Sequence, residues 1–140
     1  MAMRVSVYEN LTDDAKDIRK RVFMDEQGFH DEYDDKDGIS VHFVLYDNEL
    51  PVATCRVFRD NEMNAYVLGR LAVIREYRGK SIGSVMIKEA EKYVKSKGGT
   101  DIILHAQCRA SGFYAKSGFA EFGSVEDDEG CPHIWMRKIL

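Results

Sequence analysis

Cysteine and proline are scarce in this 140-residue chain, with three of the first and two of the second. Cys55, Cys108 and Cys131 are odd in number, widely spaced and never arranged as Cys-x-x-Cys. That argues against a disulfide framework and a zinc site, so no metal is expected, and it points to reduced thiols in a cytoplasmic protein. No apolar run approaches the roughly 20 residues of a membrane-spanning helix. The opening Met-Ala-Met-Arg-Val-Ser-Val-Tyr alternates like a strand, and no secretory signal is visible. An excess of one charge is missing too. Twenty basic and 24 acidic residues give a formal net charge of -4, so bulk attraction to nucleic acid is not expected. Repeats, linkers and low-complexity segments are absent. What remains is one globular domain, residues 1–140, long enough to bury a core.

The acidic segment from Asp31 to Asp37 invites a calcium reading that its spacing refuses. With Gly38 as the turn glycine of an EF-hand, Tyr33 would take the first ligand position and Val44 the bidentate acid position. The segment is expected to be a solvated loop near a substrate entrance.

The chain is organised around Gly69 to Lys97. A strand ending near Ile74 leads into the polar turn Arg78-Gly79-Lys80-Ser81-Ile82-Gly83. A helix follows, with Ile82, Val85, Met86, Ala90, Tyr93 and Val94 on one face. Gly98-Gly99 stops it. A helix start presents backbone N–H groups without intrahelical partners, and the dipole adds positive character there. Two glycines and the cations Arg78 and Lys80 make this a candidate phosphate cradle. An ordinary strand–helix connection with a basic, solvated turn is the plainer alternative.

Elsewhere the pattern alternates. Arg4 to Tyr8 reads as a strand. Thr12 caps a helix carrying Ala15, Ile18, Val22 and Phe23 on one face. Val41 to Tyr46, Leu50 to Phe58 and Ala65 to Ile74 form an antiparallel meander with short turns. Gly69 inside the third of these marks a bulge or a close backbone approach. Asp101 to Ala106 follows a helical crossover and is expected parallel to its predecessor. Ala110 to Lys116 is a short helix, and Phe119 to Phe122 a strand. Residues 126–130 form a polar turn, and Pro132 to Ile139 is the last strand. The class is α/β (α+β): a mixed, mostly antiparallel sheet flanked by helices.

Four stretches carry a resemblance. Arg78-Gly79-Lys80-Ser81-Ile82-Gly83 resembles the Gln/Arg-x-x-Gly-x-Gly/Ala turn of the GCN5-related N-acetyltransferases (GNAT), with Ser81 where the middle glycine is usual. Ala110-Ser-Gly-Phe-Tyr-Ala-Lys-Ser-Gly-Phe119 resembles the family's Ala-x-x-Phe-Tyr-x-Lys-x-Gly-Phe segment. Gly130-Cys-Pro-His-Ile-Trp-Met136 is similar to the ending of a small bacterial branch that includes glyphosate N-acetyltransferase. Arg21-Val-Phe-Met-Asp-Glu-Gln27 also looks like the first-helix segment of uncharacterised members. The resemblance implies the acyl-CoA N-acyltransferase fold, with acetyl-CoA as donor and co-substrate. It implies that Leu71, Ala72, Val73, Arg78, Gly79, Lys80, Ser81, Ile82, Gly83 and Ser84 hold that donor.

Direct acetyl transfer to an amine asks for three groups. Backbone N–H donors near Leu71 to Val73 would stabilise the oxyanion. The resemblance places Tyr114 near the cofactor sulfur, where its phenol would protonate the leaving thiolate; the alternative is a packing tyrosine. For the base, imidazole titrates near neutral pH, and the branch's matching histidine makes His133 the first choice; a structural strand histidine is the alternative. Glu26, acting through water, is the fallback. Arg21, His42, Arg70 and Gln107 are the candidate substrate contacts. Arg70 would hold a carboxylate or phosphate. Gln107 falls where the glyphosate enzyme has an arginine, so a doubly anionic substrate is not expected. The expected acceptor is the primary amine of a small molecule. A peptide or protein amine, suited by an acidic rim, and a non-catalytic CoA sensor stay open as alternatives. Exposed β edges leave room for a homodimer.

Overall fold

A computed structural model describes residues 2–30 and 32–140. Seven strands form one sheet in the order β1-β2-β3-β4-β5-β7-β6. They are β1 (Met3–Tyr8), β2 (Val41–Asp47), β3 (Leu50–Asp60), β4 (Ala65–Val73), β5 (Asp101–Gln107), β6 (Ala120–Asp128) and β7 (Cys131–Ile139). All neighbours are antiparallel except β4 and β5. The helical crossover between those two, α2 (Ile82–Ser96), explains the exception. The mixed sheet and its flanking helices are those expected from the sequence. β6 is longer than its sequence suggests. Glu126, Asp127 and Asp128 pair with β7, and the turn narrows to Glu129-Gly130. A charged run reads as a loop, yet an edge strand with both faces wet tolerates it.

α1 (Asp13–Arg19) starts at Thr12, whose Oγ1 accepts the Ala15 N–H at 3.2 Å. It then widens into a π-helical segment, Lys20–Glu26. α1 buries Ala15 and Ile18, and α2 buries Ile82, Met86, Ile87, Ala90 and Val94; both pack on β3 and β4. With Phe43, Leu45, Leu68, Ile102 and Met136 they form the main core. The Gly98 and Gly99 N–H groups bond the Lys95 and Val94 carbonyls and end α2 as expected.

One irregularity shapes the centre of the sheet. On β4, Arg70 and Leu71 stand opposite the single Cys55 of β3, and Arg70 adopts a left-handed φ of 51°. This is a β-bulge. It falls one residue after the Gly69 that foretold it. The β4–β5 register contains only Tyr66↔Ile102 and Val67↔Ile103. Beyond Val67 the two strands part, and a wedge opens in the sheet.

Candidate active site

Two cavities meet in this wedge. The larger, about 620 Å³, is lined by Leu71, Ala72 and Val73 of β4, by the turn before α2, and by Phe113 and Tyr114 of α3 (Ser111–Lys116). The smaller, about 180 Å³, lies on the other side, lined among others by Phe23, Gln27, Phe29, Glu32, Arg70 and His133. Gln27, Leu71, Ala110 and Tyr114 line both, so the cavities adjoin at these four residues.

The turn has the form of an anion cradle. Gly79 and Ser81 have φ of 77° and 62°, and no side chain caps the N-terminus of α2. Its first-turn N–H groups are left to a ligand. Of the ten residues expected to hold a donor, nine line the larger cavity; Lys80 is exposed and does not. Arg78 departs from expectation in another way. Its Nη1 and Nη2 reach Glu26 Oε2 and Oε1 at 2.9 and 3.0 Å, and its Nε donates to the Val73 carbonyl at 3.0 Å. It is a latch between the turn, β4 and the π-helical segment, where a free cation was expected. Gly83 also has a second role. A Cβ there would lie 2.9 Å from Phe113 Cζ, so the glycine lets α3 close over α2. The Val73 carbonyl faces the wedge and the next N–H, of Ile74, turns back to Val52 at 2.9 Å. By strand alternation the N–H groups of Val73 and Leu71 face the wedge as well.

Tyr114 stands at the junction. Burial, with buried Cys55 nearby, pushes its phenol well above the ordinary tyrosine range and keeps it protonated. His133 lines the smaller cavity. Its Nδ1 lies 2.8 Å from the Cys131 carbonyl, which only accepts. Nδ1 therefore carries the proton in the neutral ring, and Nε2 keeps the lone pair a base requires.

Three other expected residues lie elsewhere. Glu26 lines neither cavity. Hydrogen bonds from Arg78 outweigh its burial and hold its carboxyl below the usual range, which weakens it as a base. Arg21 is on the outside, 3.1 Å from Glu76. His42 is buried in β2 with Nε2 3.0 Å from the Asp37 carbonyl, and burial lowers its pKa. Strand and helix periodicity give a face but not what covers it; here packing and ion pairs did.

The acidic segment is the main correction. Asp31 lies outside the described residues, but Glu32 and Asp37 are buried. Arg19 binds both, through Nε to Glu32 Oε1 at 2.6 Å and Nη1 to Asp37 Oδ1 at 2.8 Å. Arg56 Nη1 reaches Asp34 Oδ1 at 2.6 Å and Asp37 Oδ1 at 2.9 Å. Arg70 closes the set, with Nε 3.1 Å from Glu32 Oε1 and Nη2 3.3 Å from Asp34 Oδ2. Part of the supposed solvated rim is thus a neutralised network behind the smaller cavity. Arg70 lines that cavity as expected, but its charge is already matched.

Gln107 lies in the cavity, donating to Gln27 Oε1 at 2.8 Å. His105, which its sequence context did not single out, lines it too. Its ring stacks on Trp135 at 4.6 Å and lies 5.0 Å from that of His133. Burial and the neighbouring His133 lower its pKa. The missed signal was alternation: His105 and Gln107 share one face of β5, opposite Trp135 and His133 on β7.

Comparison with known proteins agrees with this architecture. The sequence profile described as "Acetyltransferase (GNAT) domain" matches residues 10–140. The chain belongs to the GNAT family. A Bacillus subtilis (strain 168) protein named as an acetyltransferase is 35% identical over 129 residues, covering 89% of this chain and 86% of its own. A Lactobacillus plantarum structure assigned as an N-acetyltransferase superposes with a TM-score of 0.90 at 27% identity, covering 100% of this chain and 99% of its own. The PaiA N-acetyltransferase of Thermoplasma acidophilum, solved in complex with coenzyme A, shares the fold at 21% identity, with a TM-score of 0.69 and 100% coverage of both chains. No helix among the described residues of this GNAT chain is long and apolar enough to cross a membrane.

Proposed function

We propose that this GNAT enzyme transfers an acetyl group from acetyl-CoA to the primary amine of a small molecule, by direct attack with both substrates bound. The observation that carries the reading is the junction of two unlike cavities at Leu71 and Tyr114. One has a helix start built for a diphosphate, and the other has an imidazole with a free Nε2. The 180 Å³ acceptor side suits a small molecule better than a protein surface. The coenzyme A complex of the Thermoplasma neighbour supports a coenzyme A donor; the uncapped helix start that lines the larger cavity is the reason to place it there.

Acetyl-CoA supplies the activated thioester. The turn from Gly79 to Ser84 would hold its diphosphate through main-chain N–H groups. The wedge-facing N–H groups of Leu71 and Val73 would receive the developing oxyanion, a contribution of about 3 kcal/mol. Nε2 of His133 takes a proton from the acceptor's ammonium group so that the neutral amine can attack, and the Tyr114 phenol gives one to the departing sulfur. Holding amine and thioester on either side of one strand supplies much of the remaining rate.

His133→Asn and Tyr114→Phe test the assignment. Each is expected to lower kcat by about 10²-fold or more, with KM for acetyl-CoA little changed. Steady-state thiol release over an amine panel measures both. Wild-type turnover in both variants would reject these roles.

A further inference from the structure

The charges around the acceptor cavity specify more than an amine. Its wall contains three carboxylates, those of Glu32, Asp128 and Glu129, and one guanidinium, that of Arg70. Arg70 is committed to Glu32 and Asp34 within the buried network. That network joins three arginines to three carboxylates and is formally neutral. It offers nothing to an anionic substrate. On the facing hairpin, Asp128 has no ion pair among the described residues, and Glu129 Oε1 accepts the His30 N–H at 3.0 Å. This bond ties the hairpin to His30, and Asp128 and Glu129 line the same cavity as Glu32.

A second observation points the same way. The Glu32 side chain is 1% exposed, yet its Oε2 has no hydrogen-bond partner among the described residues. A buried carboxylate oxygen left open is costly, and a cationic ligand beside it would offset that cost. Phe23 and Phe29 give the same cavity apolar wall suited to methylene groups.

We propose that the acceptor is a dication: a short aliphatic chain whose reacting amine lies by His133 and Tyr114 while a second ammonium group lies by Glu32 and Asp128. The inference rests on the acetyl-transfer reading for the position of the reacting amine. The distal ammonium stays protonated and is held by charge. The proximal one must lose its proton to Nε2 of His133 before it attacks. An acceptor ending in a carboxylate would meet like charge and no uncommitted cation in the wall.

Three probes on the same four-carbon skeleton separate these cases: 1,4-diaminobutane, n-butylamine and 4-aminobutanoate. Turnover with acetyl-CoA is expected to favour the diamine in kcat/KM by at least ~10-fold over n-butylamine, with 4-aminobutanoate poorest; one matched charge pair at a partly buried site is of that order. The advantage should shrink as salt rises. Asp128→Asn should raise KM for the diamine several-fold and narrow its lead. Glu121→Gln, also on β6 but outside the cavity, should change neither, and unaltered melting temperatures in both variants would show that folding is not the cause. Equal rates for all three probes, or a preference for 4-aminobutanoate, would overturn the proposal. Calorimetric binding in the presence of coenzyme A separates the two levels. Diamine binding that exceeds n-butylamine binding without any turnover supports the dication site and rejects acetyl transfer to it. Absence of diamine binding rejects the site.

Discussion

The proposed donor side and the proposed acceptor side of the wedge are built on opposite principles. The donor side is nearly continuous in sequence, from Leu71 to Ser84, and its expected contacts are main-chain N–H groups at a helix start. The acceptor side gathers side chains from the π-helical segment, the acidic loop, β4, β5, α3 and the β6–β7 hairpin. Its back wall is a buried set of arginines and carboxylates. A backbone cradle depends on local conformation and tolerates changes of side chain. A side-chain cavity backed by buried charge depends on every member of its network, and a small change there alters which substrate fits.

The largest expected effect is therefore on the acceptor side. Asp37 accepts from both Arg19 and Arg56, and each arginine is almost wholly buried. Asp37→Asn leaves buried guanidinium charge unmatched and should cost about 3–5 kcal/mol, read from the urea midpoint. Acid should attack the same place. Burial alone would raise the Asp37 carboxyl, but hydrogen bonds from Arg19 and Arg56 outweigh it and hold it well below the usual range. A depressed folded-state pKa stabilises above the unfolded value near ~3.9 and loses that contribution as pH falls through the folded one. Burial lowers His42 and His105 as well. The unfolded chain then binds their protons first, so stability begins to fall below about pH 6.5. Stability against pH should thus decline in two stages, and Asp37→Asn should remove the lower one. A lower stage that persists in the variant would place the acid sensitivity elsewhere.

This contrast also sets how much could be read beforehand. The antiparallel meander followed from short turns and the parallel β4–β5 pair from one helical crossover, and the candidate donor turn from a family resemblance carried by six consecutive residues; the insertion of β7 between β5 and β6 was not legible in this way. The partners of Arg19, Arg56 and Arg70 were not legible either, since each lies 13 or more positions from the carboxylates it binds. Asp31 to Asp37 looked solvated because a run of acids usually is; only the tertiary fold brings three arginines to it. The ion pair of Arg78 was out of reach for the same reason, its Glu26 partner being 52 positions away. His133 and Gln107 were within reach through the family resemblance, and His105 would have followed from alternation along β5.

An intermediate effect is expected on the proposed donor side, where α3 closes over α2. Gly83→Ala places a methyl 2.9 Å from Phe113 Cζ, the far end of a ring that is 38% exposed. The ring can swing away, and alanine in a helix gains about 1 kcal/mol over glycine, so stability should change by no more than about 1 kcal/mol. Phe113 lines the donor cavity, however, and its displacement should weaken coenzyme A binding several-fold by calorimetry. Adding Phe113→Ala should restore part of that affinity if the ring, and not the helix start, is what moved. A double variant no better than Gly83→Ala would put the damage in the cradle itself.

The smallest effect tests the backbone principle directly. Ser81 sits at φ 62° with no capping bond from its side chain. A left-handed serine costs about 1–2 kcal/mol, and glycine returns roughly 0.4–1 kcal/mol of that through the freer unfolded chain. Ser81→Gly should then raise stability by only about 0.5 kcal/mol, a shift of one or two degrees in Tm for a chain of this size. Coenzyme A affinity should stay the same, because every main-chain N–H is retained. A tenfold loss of affinity would mean that the Ser81 hydroxyl holds the ligand. The donor side would then depend on side-chain chemistry as the acceptor side does, and the distinction between the two would fail at the residue where the chain departs from the glycine usual in its family.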